Sequence, residues 1–169
     1  NNFFSRLGFY INKVEHINTH GGSIRVFVGK NNKNRDSSVD LFIAREEDFG
    51  LTKYSTYIEF AKKIEEVKEN VVNNIKKIKT QGLLIVGYGA PAKATTALNY
   101  FGITSNEISY IVEDNKLKHN KVVPGVKIPI FSKDKLEEKL PDVIISRAWN
   151  FAEDIKKNNE SLVNRGVKF

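Results

Sequence analysis

The sequence predicts an α/β fold: a mostly parallel sheet flanked by helices, preceded by a β-hairpin and a long helix. Three observations lead there. From residue 83 onward, short continuous apolar runs alternate with helical patterns, as in strands buried on both faces and the helices that connect them. A long amphipathic stretch with apolar residues three or four apart precedes them. Ahead of that stretch, two strand-like runs flank a glycine-rich turn.

Residues 1–7 carry Phe3, Phe4 and Leu7 on one helical face, and Gly8 follows where a helix commonly ends. Residues 9–17 mix Phe9, Ile11, Val14 and Ile17 with polar side chains in an imperfect alternation. Thr19-His20-Gly21-Gly22-Ser23 is a turn signal, and residues 24–28 complete a hairpin. Residues 31–38 are polar and predict a loop, with a short helix over 39–47. Thr56-x-x-Glu59 has capping-box spacing and opens a helix to about residue 79. Its stripe comprises Tyr57, Phe60, Ala61, Ile64, Val67, Val71, Ile75 and Ile78. Glu59 and Lys63 stand four apart in the favourable order.

Residues 83–86 predict a buried strand, Gly87 to Ala90 a turn and residues 92–100 a helix closed by Gly102. A second strand covers 108–112 and ends in Glu113-Asp114-Asn115. After a loop with Pro124-Gly125 come a strand over 128–131, a short helix over 133–140, a strand over 142–146 and a helix over 149–164.

Composition bounds the function. Hydrophobic residues at 40% and charged residues at 28% suit a globular domain, and 169 residues suit one domain, with room for an appendage. No apolar run approaches the roughly 20 residues that span a bilayer, and no secretory signal is visible, so the expected compartment is the cytoplasm. Without cysteine there is neither a disulfide framework nor a thiolate metal site, and His16, His20 and His119 are too scattered for zinc. A net charge of +7 favours anionic partners, but the lysines are spread along the chain and do not mark a nucleic-acid surface. The absence of methionine, the apolar helix face at the start and the strand-like Val167-Lys168-Phe169 at the end predict a fragment of a larger protein.

The strongest physical signal is residues 83–93, where a buried strand enters a tight glycine turn and then a helix. Helix-start N–H groups and the positive dipole end bind anions such as pyrophosphate, so the pattern predicts a Rossmann-like nucleotide site. Gly87 is expected to make the turn, Gly89 to admit ligand close to Tyr88 and Ala90, and Lys93 to add a charge. Pro91 suits a first helical position. Alanine stands at the third glycine position, Ala92. A purely structural strand–helix turn is the alternative reading. Glu113 ends the next strand, where an acid in dinucleotide folds accepts a ribose hydroxyl; a ligand-free turn at Asp114-Asn115 is the alternative. Residues 146–150 share that edge in a parallel sheet, and Trp149 suits either stacking on a base or packing under a helix. His20, Gly21, Gly22, Ser23 and Arg25 suit an anion or a sugar hydroxyl, or form an ordinary hairpin turn.

Several motifs in this order resemble one family, the sugar C-methyltransferases, in their carboxy-terminal domain. They are Thr19 to Arg25, Gly87 to Lys93, Glu113-Asp114-Asn115-x-x-Lys118, Val123-Pro124-Gly125 and Ala148-Trp149-Asn150-Phe151. Glu113 departs from the family pattern, where aspartate is common. The resemblance implies an enzyme that methylates a carbon of a deoxy-sugar carried on thymidine diphosphate, with S-adenosylmethionine as donor. It implies a zinc module and a donor-binding domain preceding this chain, and a catalytic base upstream of Asn1. This chain is then the nucleotide-sugar-binding part, expected to be inactive alone and to bind neither the donor nor a metal. Residues 1–50 are expected to be the hairpin and linker to the missing domain, and 51–169 the Rossmann-like domain, truncated at both ends. The resemblance leaves Gly87, Tyr88, Gly89, Ala90, Lys93, Glu113, Asp114, Asn115 and Lys118 as nucleotide and phosphate residues. His20, Gly21, Gly22, Ser23, Arg25, Trp149 and Asn150 are candidate substrate contacts. The competing expectation is a non-catalytic, regulatory NAD-binding domain.

Overall fold

The computed structural model describes all residues except 1 and 147–151, and all side chains of the described residues except those of Asn2, His20, Ala152, Glu153 and Asp154. Its contacts divide the chain into two units, Asn1–Ile64 and Glu65–Phe169.

The first unit contains α1 (Asn2–Arg6), β1 (Tyr10–Ile17), a 3-10 turn at Thr19–Gly21, β2 (Ser23–Gly29) and α2 (Ser38–Phe49). The hairpin forms as predicted, with Tyr10 opposite Gly29 and Ile17 opposite Ser23. An irregularity between Ile11 and Lys13 shifts the register, which explains the imperfect alternation of β1. Helix α2 packs on this ribbon. Val14 and Val39 are buried, and the Ser38 hydroxyl accepts the Val14 N–H at 2.9 Å.

Helix α3 (Tyr54–Thr80) begins two residues before the predicted start. Thr56 therefore lies inside the helix, and its hydroxyl donates to the Gly50 carbonyl at 2.8 Å. The expected capping box does not form. Glu59 reaches Lys62, three residues on, at 2.9 Å. Ile75 on the apolar stripe is buried, with Val71 and Ile78 packed beside it, while Tyr57 and Phe60 remain exposed.

The second unit carries β3 (Ile85–Tyr88), α4 (Ala92–Phe101), β4 (Ile111–Val112), β5 (Lys121–Val122), β6 (Pro129–Phe131), α5 (Lys135–Glu138), β7 (Val143–Ser146), α6 (Ala152–Lys157) and α7 (Glu160–Asn164). The sheet order is β5-β6-β4-β3-β7. All its pairs are parallel except the edge pair β5–β6. Lys168 adds a single parallel bridge beside Val143, where the chain's last residues read as the start of a strand.

Side chains alternate across each strand, and that alternation builds two cores. Ile85, Ile111 and Val143 join Ile75 and Leu98 on the face covered by α3 and α4. Val86, Val112 and Ile144 join Leu136 and Leu162 on the opposite face. Burying each such Ile or Val stabilises the fold by about 1.5–3 kcal/mol. The chain thus has helices on both faces of a mostly parallel sheet, as its sequence predicts.

The predicted helix over 149–164 is broken. Residues 147–151 lie outside the described part, and α6 and α7 are separated at Asn158-Asn159. The Asn159 amide donates to the Ile155 carbonyl at 2.6 Å, a local side-chain bond that competes with helical continuation. The helix expected over 133–140 shrinks to the single turn of α5.

Candidate functional site

Strands β3, β4 and β6 run parallel, so their carboxyl ends meet along one edge of the sheet. Gly87 does not make the turn after β3. It lies buried within the strand, and its N–H donates to Tyr110 at 2.9 Å. The turn belongs to Gly89, whose φ of +82° suits glycine. Pro91 is the N-cap of α4 in extended conformation, and Ala92 is the first helical residue.

Glu113 leaves β4 and turns its carboxylate back under this loop. One oxygen accepts the Ala90 N–H at 2.7 Å and lies 3.3 Å from the Lys118 ammonium. The other accepts the Asn115 N–H at 3.1 Å. Lys118 also donates to the Ala90 carbonyl at 3.0 Å. Burial pushes the Glu113 carboxyl up, but the Ala90 and Asn115 N–H groups and Lys118 outweigh it. The group titrates below the ordinary carboxylate range and is ionised at neutral pH.

Beside it, the Tyr88 hydroxyl faces Asp114, and the Lys133 ammonium lies 3.1 Å from Asp114 and 5.1 Å from the Tyr88 ring centroid. Burial pulls Lys133 down, but Tyr88 and Asp114 raise it further, so it titrates above its ordinary value. His119 Nε2 stands 2.7 Å from the Glu113 carbonyl oxygen. A carbonyl oxygen can only accept, so Nε2 carries the proton in this contact.

A cavity of about 280 Å³ opens here, walled by Tyr88, Gly89, Pro91, Glu113, Asp114 and Lys118, with Ile155 of α6 as its apolar side. The structure thus gathers five of the predicted nucleotide residues around one opening. Lys93 lines a different, largely apolar cavity of about 490 Å³, with Ile75, Leu98, Ile145 and Ser146. Gly87 is inside the strand. Asn115 caps the 3-10 turn Lys116–Lys118 by accepting the Leu117 N–H.

The glycine-rich hairpin turn belongs to the first unit. Gly21 and Gly22 adopt positive φ, the Ser23 hydroxyl donates to Thr19 at 3.1 Å, and Arg25 stands 3.9 Å from Glu15. The side chain of His20, and Trp149 and Asn150 altogether, lie outside the described part. Sequence reasoning missed Lys133 and His119. Lys133 was within reach of a simple rule: it follows the end of β6 by two residues, on the same carboxyl edge.

This edge offers hydrogen-bond acceptors, two ammonium groups and an aromatic ring around a small opening, an arrangement suited to holding a polar ligand. Among the described residues no group of three His, Asp or Glu side chains could hold a metal ion. Among them, too, no helix is long and apolar enough to cross a membrane.

The fold is that of a Rossmann-like α/β domain, with a small polar opening at the carboxyl edge of its sheet. Within that class the chain belongs to the C-methyltransferase C-terminal domain family, which matches residues 18–169. A C-methyltransferase of Streptomyces niveus, NovU, is 30% identical over 168 residues. The match covers 98% of this chain and 40% of the relative, so the chain spans about two fifths of the relative's length.

Proposed function

We propose that this chain is the substrate-binding domain of an S-adenosylmethionine-dependent C-methyltransferase that acts on a deoxy-sugar carried on thymidine diphosphate. The observation that carries the reading is the opening at the carboxyl ends of β3 and β4. Asp114 there is an acceptor for sugar or ribose hydroxyls, Tyr88 supplies an aromatic wall, and Lys133 beside Asp114 is a cation at hand for phosphate. The family and the C-methyltransferase relative support the methyl-transfer half of the reading.

In this account the chain positions and does not carry the reacting base. Binding energy from the nucleotide, remote from the sugar carbon, orients that carbon toward the methyl donor. The donor supplies the electrophilic methyl group and is assigned to a part of the enzyme beyond these residues. Both oxygens of Glu113 already accept N–H groups, so Asp114 is the acid of this edge that this account gives to the nucleotide sugar. Calorimetric titration with thymidine diphosphate, with NAD and S-adenosylmethionine as controls, tests the reading. Selective binding of thymidine diphosphate is expected. Preference for NAD points instead to the regulatory dinucleotide reading.

A further inference from the structure

We propose that Glu113 determines specificity by closing the strand–turn–helix against external diphosphate: its carboxylate occupies, from within the chain, the place that a ligand phosphate takes in a dinucleotide fold. The inference goes beyond the substrate-domain reading and does not depend on it.

The argument rests on the donors of the turn. A turn of this kind holds pyrophosphate through backbone N–H groups at and after the second glycine. Here the turn itself, residues 89–91, has none on offer, and the helix-start N–H groups begin only at Ala92. The Gly89 N–H donates to Val112 at 2.8 Å. The Ala90 N–H donates to Glu113 at 2.7 Å. Pro91 has no N–H. The Lys118 ammonium, which could accompany a phosphate, bridges the Ala90 carbonyl and the Glu113 carboxylate.

Glu113 is also fixed at every polar atom. Its N–H donates to Phe131 at 3.0 Å and its carbonyl accepts from His119 at 2.7 Å. Its second carboxylate oxygen accepts from Asn115 at 3.1 Å. The side chain is only 13% exposed. A carboxylate tethered in this way competes at an effective concentration that a free anion at millimolar level does not match. A dinucleotide pyrophosphate must displace it. A ligand whose phosphates lie outside the turn, toward Lys133, need not.

The test is calorimetric titration with inorganic pyrophosphate. The unsubstituted chain is expected to give no saturable binding at millimolar concentration. Glu113→Ala frees the Ala90 N–H and Lys118 together, and is expected to gain about ten-fold or more in affinity, the scale of one charge-assisted hydrogen bond. Adding Lys118→Ala should remove the gain. Unfolding does not create an anion site, so a gain speaks for the seat itself. Equal binding by the unsubstituted chain and Glu113→Ala, or no gain in a Glu113→Ala chain with unchanged circular dichroism, overturns the proposal. Should that variant not fold, the unsubstituted chain still decides. The Ala90 amide proton shift must follow the acid titration of Glu113, and an Ala90 shift that stays flat overturns the proposal. Thymidine diphosphate binding by the unsubstituted chain is a separate measurement, so either idea can fail alone.

Discussion

Tyr88 and Asp114 meet across the carboxyl edge of the sheet, with the phenolic oxygen 3.3 Å from each carboxylate oxygen. Tyr88 ends β3 and is 4% exposed, while Asp114 follows β4 and faces solvent. The buried ring therefore aims its one polar atom at the opening and orients the carboxylate there. The Lys133 ammonium pairs with the same carboxylate at 3.1 Å.

Tyr88→Phe removes that bond and keeps the ring. Stability is expected to fall by about 0.5–1.5 kcal/mol, the net worth of one hydrogen bond, in urea melts. Nucleotide-sugar affinity should fall as well, because Asp114 is then less well oriented. An affinity equal to the unsubstituted chain argues against Asp114 as a ligand acceptor.

Glu113 makes stability depend on pH, with a definite sign. Its folded-state carboxyl lies below its ordinary value, held down by Ala90, Asn115 and Lys118 against the opposing effect of burial. The contribution is therefore fully present above the unfolded-state pKa and is lost as pH falls through the folded-state value. Denaturation curves from neutral to acid pH should show the gap between the unsubstituted chain and Glu113→Gln narrowing as pH falls. A gap that is constant or grows contradicts the ion-paired assignment.

Gly125 sits at φ +82° directly above the Asn99 side chain, and a methyl group there would lie 1.9 Å from the Asn99 oxygen. Asn99 in turn donates to the Pro124 carbonyl at 3.0 Å, tying this loop to α4. Gly125→Ala is expected to cost about 1–3 kcal/mol from backbone strain, with displacement of Asn99 added. Thermal unfolding checks this, and Asn99→Ala in the same background should recover part of the loss.

Ile85 and Ile111 are fully buried neighbours in the same core face. Either one changed to Ala should destabilise by about 2–5 kcal/mol. Loss of less than about 1 kcal/mol in chemical denaturation would mean that the face is not packed as described.

The strands expected over 83–86 and 142–146 were legible because strands buried on both faces leave an apolar run, although β3 lies two residues further on, at Ile85–Tyr88, and takes in Gly87 and Tyr88 of the expected turn. The hairpin was legible from its paired glycines. The short edge strand β5 was not: Lys121 and Val122 are exposed, and two residues carry no period. The helix break at Asn159 was hidden because its side-chain bond to Ile155 is a local competition that hydrophobic spacing does not record. At the site, strand ends placed the turn at Tyr88 and Gly89 and the acid Glu113 on one edge, whereas Asp114 and Lys118 entered as ligand residues only through the family resemblance. It misjudged Gly87, because a glycine before a turn and a glycine in a buried strand look alike until the pairing with Tyr110 is known. The engagement of Glu113 with Ala90 joins residues 23 apart, and only the fold brings them together.

The most direct test of the central claim is an amide chemical-shift titration of the chain with thymidine diphosphate. The account predicts saturable shifts concentrated on Tyr88, Gly89, Asp114, Asn115 and Lys133. Shifts confined to the hairpin turn around Gly21 and Gly22, or to the cavity beside Lys93 and Leu98, or no shift at all, would contradict it.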